Sequence, residues 1–187
     1  MSSSRRHFRC SNVSRDKASR PAPLLLGHGA SGTAASMRPW VAALAALGVV
    51  AEALELPRSS PERAVGVFRD ALRASPDAAL GGHSYGGRMA SMLASEQPVA
   101  ALVLLSYPLH RPGHPDELRT GHWSRIECPV LLLSGERDPF AKIDLLRDAV
   151  RVLRNAELVT YPGQGHGLLG VRDGAAARIS AFLREVG

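Results

Sequence analysis

Gly82-His83-Ser84-Tyr85-Gly86 is the stretch that decides how this chain folds. It ends an apolar run, Ala78–Gly82, and it precedes Gly87-Arg88-Met89-Ala90-Ser91-Met92-Leu93, which reads as a helix. The pattern is G-x-S-x-G, a turn from strand into helix so tight that the central serine takes a strained backbone conformation. Gly82 and Gly86 flank it because a larger side chain clashes where helix and strand nearly touch. The serine oxygen is thereby lifted clear of the sheet. The bare pentamer recurs by chance in many chains, and its placement between strand and helix is what gives it weight.

Outward from this turn the chain alternates short apolar runs with amphipathic stretches. The runs expected as strands are Leu24–Gly27, Val49–Leu56, Ala78–Gly82, Ala100–Ser106, Pro129–Ser134 and Ala156–Tyr161. Trp40, Val41, Leu44 and Leu47 share one helix face. Val65, Phe68 and Leu72 share another, behind Ser60 as N-cap and Pro61 in the first turn. Ile143, Leu146, Val150 and Leu153 form a third stripe, and Ile179, Phe182, Leu183 and Val186 a fourth. Repetition of this kind predicts an α/β fold: crossover units around a mostly parallel sheet of about six strands, covered on both faces. The exception is the long connection Tyr107–Ile126, rich in Pro, Gly and His. A short edge strand is expected near Leu24, and an edge can pair with a second subunit. The sequence leaves the oligomeric state open.

The composition at first points elsewhere. The 187 residues carry a net charge of +6, which suggests nucleic acid or membrane as partner. The excess is local, because residues 1–20 hold six basic side chains against Asp16 alone. The remaining 167 are nearly neutral, with 17 basic and 16 acidic side chains. Residues 1–23 are therefore expected to be a basic, disordered leader, and 24–187 a single domain. Neither a nucleic acid nor a membrane is expected as partner. Arg5-Arg6 resembles a twin-arginine export signal, yet no apolar segment follows it. The longest apolar run, Val41–Ala51, is broken by Gly48 and falls short of the roughly 18 residues of a membrane span. Cys10 and Cys128 form neither a disulfide framework nor a zinc site, so a cytoplasmic location is the default.

In open parallel sheets, chemistry gathers at the carboxyl ends of the strands. Ser84 stands after the third run. Asp138 follows the fifth, in Gly135-Glu136-Arg137-Asp138-Pro139-Phe140, and His166 follows the sixth, in Gly163-Gln164-Gly165-His166-Gly167. Nucleophile, acid and base thus occur in the order Ser, Asp, His, the order of the α/β-hydrolases and of neither large serine-protease group. After the first run comes His28-Gly29-Ala30-Ser31-Gly32. Its turn is expected to give the Ala30 N–H to an oxyanion hole, with the Tyr85 N–H as the second donor.

These residues resemble a known family. The likeness is to the compact α/β-hydrolase-like domain shared by testis-expressed protein 30 and the chromatin-associated NSL complex subunit 3, related to dienelactone hydrolase. It rests on Leu24–Ala30, on Met37 and Pro39, on Gly81–Met92, on Tyr107–Thr120, on Gly135–Phe140 and on the turn near His166. The chain departs from it at Tyr85, where a methionine is usual, and at Gly165, where many members have an acidic residue. The resemblance implies a three-layer α/β-hydrolase fold with a minimal cap.

The reading that follows is a serine hydrolase acting on a small ester, thioester or lactone, with Ser84, Asp138 and His166 as its triad. A small-molecule acyl substrate is the expected partner, and no cofactor or metal is expected. His28, His83, Tyr107 and His110 are the candidates for the pocket wall. His110, His114 and His122 share a loop, but no carboxylate or cysteine stands at ligand spacing with them. Arg88 reads as a surface or helix-end charge, and Arg137 as the partner of a carboxylate. Asp116 to Trp123 is expected to form a short turn of helix over the pocket. The alternative is a non-catalytic scaffold on the same fold, since the resembled family includes a chromatin-complex subunit. A weaker alternative is nucleic-acid association through the Arg-rich leader.

Overall fold

The computed structural model describes residues 20–187, so residues 1–19 of the leader expected at 1–23 lie outside the described residues. Six strands form one sheet: β1 (Leu24–Gly27), β2 (Ala51–Leu54), β3 (Ala79–His83), β4 (Leu102–Leu105), β5 (Val130–Gly135) and β6 (Ala156–Tyr161). Their order across the sheet is β2-β1-β3-β4-β5-β6, and every pairing is parallel. The helices are α1 (Arg38–Ala45), α2 (Pro61–Ala74), α3 (Tyr85–Ala94), α4 (Ile143–Val150) and α5 (Arg172–Glu185). This is the α/β fold around a parallel sheet that the strand and helix pattern predicted, and the three-layer α/β-hydrolase architecture that the resemblance implied.

Side chains alternate across the sheet with a period of two. Leu25, Leu80, Leu102 and Val130 stand in one register row and join the core beneath α2, α3 and α4. Leu24, Leu26, Val103, Leu105, Leu131 and Leu133 point the other way, into the core beneath α1 and α5. The central strands are apolar on both faces because both faces are covered. Ser60 caps α2 as expected, its hydroxyl accepting the Arg63 N–H at 3.2 Å.

Four expectations need correction. β1 is not an edge strand, because the chain places β2 on one side of it and β3 on the other, leaving β2 and β6 as edges. Residues 21–23 belong with the folded body, since Ala22 is buried and its N–H donates to the Leu183 carbonyl. Leu47 leaves the buried face of α1, because Gly48 adopts φ +77 and ends the helix. The turn of helix expected over Asp116–Trp123 is absent. Trp123 instead opens a 3-10 turn, Trp123–Arg125, and is fully buried against Tyr107 with ring centroids 4.9 Å apart. Burying the indole removes more apolar area from water than a solvated lid would.

The sheet also fixes where a ligand can bind. From β1 the chain moves outward to β2, then crosses back to β3 and continues in the opposite direction. The crevice at such a reversal opens at the carboxyl ends of β1 and β3. Those ends carry His28 to Ser31 and Ser84.

Two substitutions calibrate this framework. Phe68→Ala, in the core beneath α2, is expected to lower stability by about 3–5 kcal/mol. Ser60→Ala, an exposed cap, is expected to cost only ~1 kcal/mol. Urea unfolding of both variants checks the ratio.

Candidate active site

Ser84 sits between β3 and α3 with φ 51 and ψ −112. A non-glycine residue held there stores strain of order 1–3 kcal/mol. What holds it is the approach of α3 to β1. A Cβ on Gly86 would lie 2.3 Å from the Gly27 backbone, and one on Gly82 would lie 2.5 Å from the Gly27 carbonyl oxygen. Only hydrogen fits in that seam. The Gly86 N–H donates to the His28 carbonyl at 3.0 Å and closes it.

The three residues expected to act together are brought together. His166 Nε2 lies 2.8 Å from Ser84 Oγ, and His166 Nδ1 lies 2.8 Å from Asp138 Oδ2. Asp138 is buried and accepts the Phe140 N–H at 2.8 Å through Oδ1. An acceptor-only carboxylate at Nδ1 places the ring proton there and leaves Nε2 free to accept from the serine hydroxyl. The Phe140 ring packs on the imidazole, centroids 4.4 Å apart.

The loop that carries His166 is set by backbone contact with β5. A Cβ on Gly135 would lie 2.3 Å from the carbonyl oxygens of both Gln164 and Gly165. His83 adds a second restraint. Its Nε2–H donates to the His166 carbonyl at 2.8 Å, and burial holds its pKa below the ordinary histidine value. His83 also lines the cavity beside Ser84, as expected.

The other three pocket candidates do not line it. His28 is fully buried under its own turn, where Nε2 accepts the Leu56 N–H at 3.0 Å and Nδ1 faces the Gly29 carbonyl. Tyr107 is buried beneath the long connection and donates to the Arg119 carbonyl at 2.6 Å. Burial pushes its phenol up to about 12. His110 accepts the Lys142 N–H at 3.0 Å, and its backbone N–H donates to the Phe140 carbonyl. It thus staples the long connection to the loop that carries Asp138. The loop histidines do not converge, since His122 bonds Ser91 at 2.8 Å while His114 is exposed beside Glu117. Arg137 is exposed and pairs with no carboxylate among the described residues.

The cavity over Ser84 has a volume of about 450 Å³. Ala30, Tyr85, Pro108 and Phe140 help to line it, and so do Arg88 and Arg119, which sequence reasoning missed. The Ala30 and Tyr85 N–H groups have no hydrogen-bond acceptor among the described residues. The signal for Arg88 was legible, because α3 carries no acidic residue to pair with it. A larger cavity of about 720 Å³ opens at the opposite, amino-terminal ends of the strands, beside Pro23, Val50 and Pro76, far from this chemistry.

Comparison with known proteins agrees with this fold. A family model described as an alpha/beta hydrolase domain matches residues 20–177, and the chain belongs to that family. Its fold is similar to the monoacylglycerol lipase of Paleococcus ferrophilus, with a TM-score of 0.77, 15% identity, and 89% of this chain and 97% of that chain covered. It is similar to a thermophilic esterase from Thermogutta terrifontis, with a TM-score of 0.74, 16% identity, and 88% and 90% covered. An alpha-beta serine hydrolase homologue from Coxiella burnetii gives a TM-score of 0.67 at 18% identity, with 91% and 88% covered. Among the described residues no helix is long and apolar enough to cross a membrane.

Gly135→Ala forces two backbone carbonyls to move, so it is expected to cost about 1–3 kcal/mol in urea unfolding. It is also expected to shift the His166 ring resonances in NMR spectra. A pH effect follows from His122, whose pKa is lowered from 6.5 to about 4, by burial first and then by the positive charges of Arg88 and Arg125. The unfolded chain takes up this proton before the folded one does. Stability is therefore full above about 6.5 and is lost as pH falls toward about 4. His122→Gln is expected to flatten that acid limb in denaturation curves.

Proposed function

We propose that this chain is a serine hydrolase that cleaves a small ester, thioester or lactone. The observation that carries the reading is the continuous line Ser84–His166–Asp138, with 2.8 Å at each junction. Ser84 attacks the acyl carbonyl while His166 Nε2 takes its proton. The same proton passes to the leaving group as the tetrahedral intermediate collapses. Water, deprotonated by His166, then releases the acid from Ser84. Asp138 fixes the imidazole and stabilises its cation without taking the proton. The unpartnered N–H groups of Ala30 and Tyr85 receive the oxyanion, a contact worth roughly 3–4 kcal/mol per donor in a measured case.

Each step is supplied by these side chains, the two backbone donors and water. The esterase and lipase names of the structural neighbours point the same way. Within the family, the stretches Gly81–Met92 and Gly135–Phe140 favour the group of testis-expressed protein 30 and NSL complex subunit 3, related to dienelactone hydrolase.

A fluorophosphonate probe is expected to label wild-type protein at Ser84 and to leave Ser84→Ala unlabelled. Folded wild-type protein that stays inert to the probe would sink the proposal. Asp138→Asn is expected to lower turnover of a short-chain p-nitrophenyl ester by roughly 10³–10⁴-fold while the protein remains folded.

A further inference from the structure

Two guanidinium groups share the cavity over Ser84, and neither has a carboxylate partner among the described residues. Arg88 reaches it from α3, and its Nε is buried with no acceptor among the described residues. Arg119 reaches it from the long connection. Arg69 is paired with Glu96 and Arg147 with Asp144, and the arginines without such a pair, such as Arg38, Arg63 and Arg137, are exposed on the surface and do not line this cavity. Glu117, on the same loop as Arg119, is taken by Arg111 at 2.5 Å. Neither cavity arginine has a carboxylate within ion-pair distance among the described residues, although Glu117 lies near enough to Arg119 to be felt.

Their charge is felt by their neighbours. The Arg119 pKa is lowered by burial and then by Arg88. His122 is pushed the same way by burial, Arg88 and Arg125. Arginine cannot shed its proton to relieve such repulsion. A guanidinium that lines a cavity without a carboxylate partner is suited to a charge-assisted hydrogen bond to an entering anion.

We propose that the cavity takes an acyl substrate bearing a second, anionic group, carboxylate or phosphate, held by Arg88 and Arg119. The reaction rests on the serine-hydrolase reading above, whereas the anion subsite does not. For a half-ester, Ser84 Oγ bonds to the carbonyl carbon and the alcohol leaves with the proton carried by His166. Water then breaks the acyl–Ser84 bond and yields the dicarboxylate. The charged end stays on the arginines throughout, and a cavity of about 450 Å³ admits a chain of only a few carbons between the two ends.

Calorimetric titration of the full chain with glutarate, butyl phosphate and the neutral glutaramide reads the subsite without any turnover. At least one anion is expected to bind about tenfold more tightly than glutaramide, and whichever does so identifies the anionic group. That preference is expected to weaken with added salt and to be lost in Arg119→Met. Arg88→Met tests the second cation, and Arg88→Lys keeps the charge where the methionine variant fails to fold. Equal binding of all three compounds, or binding of none at millimolar concentration, overturns the proposal.

A second measurement separates this inference from the reading beneath it. The ratio of kcat/KM for monomethyl glutarate over methyl valerate is expected to exceed about ten and to fall toward one in Arg119→Met. Protein that reacts with fluorophosphonate yet treats charged and neutral ligands alike overturns the anion subsite only. Protein inert to the probe that still selects an anion overturns the hydrolase reading only.

Discussion

The backbone of β1 rests against the first turn of α3 with no side chain between them, and the rest of the site hangs on that seam. Gly27, Gly82 and Gly86 leave space measured in hydrogens, since a single Cβ on Gly86 would come within 2.3 Å of Gly27. Because the seam is closed, Ser84 has nowhere to relax to, and its backbone stays in a region that serine avoids. Hydrophobic burial beneath α2, α3 and α4 supplies the pressure that keeps it closed. The strain at the serine is thus maintained by packing well away from it.

The electrostatics divide into two halves that share one cavity. On one side the buried Asp138 has a full set of partners, His166 and the Phe140 N–H, which fix proton positions. On the other side Arg88 and Arg119 have no carboxylate within ion-pair distance among the described residues. The first half is a closed set of hydrogen bonds, and the second is the half on which the proposed anion subsite rests. Between them run restraints on the loops that carry His166 and Asp138: His83 on the His166 carbonyl, and His110 on the Asp138 loop. Both were read in the sequence as pocket residues, and His110 proves to be a staple.

What was legible in the sequence was what local rules determine. Apolar runs marked all six strands, because a strand covered on both faces needs no polar alternation. The elbow, the order Ser84, Asp138, His166 and the cap at Ser60 each depend on residues close in sequence or on position after a strand. Contacts across long separations were not legible. Leu56 lies 28 residues from His28, yet its N–H decides that His28 faces inward. The side on which β2 pairs, and with it the loss of an edge at β1, depends on the crossover and leaves no mark in Leu24–Gly27. Trp123 was read as the end of a short helical turn over the pocket, whereas the buried ring of Tyr107 decided its place.

The sheet order has a consequence for how the molecule assembles. Ser84 and His166 are 82 residues apart, and they meet only after β4, β5 and β6 have been laid down beside β3. Parallel pairing of this kind is built from non-local contacts, which close slowly because the loop entropy must be met first. The hydrogen-bonded line from Ser84 through His166 to Asp138 is therefore a property of the completed sheet and of no single segment of the chain.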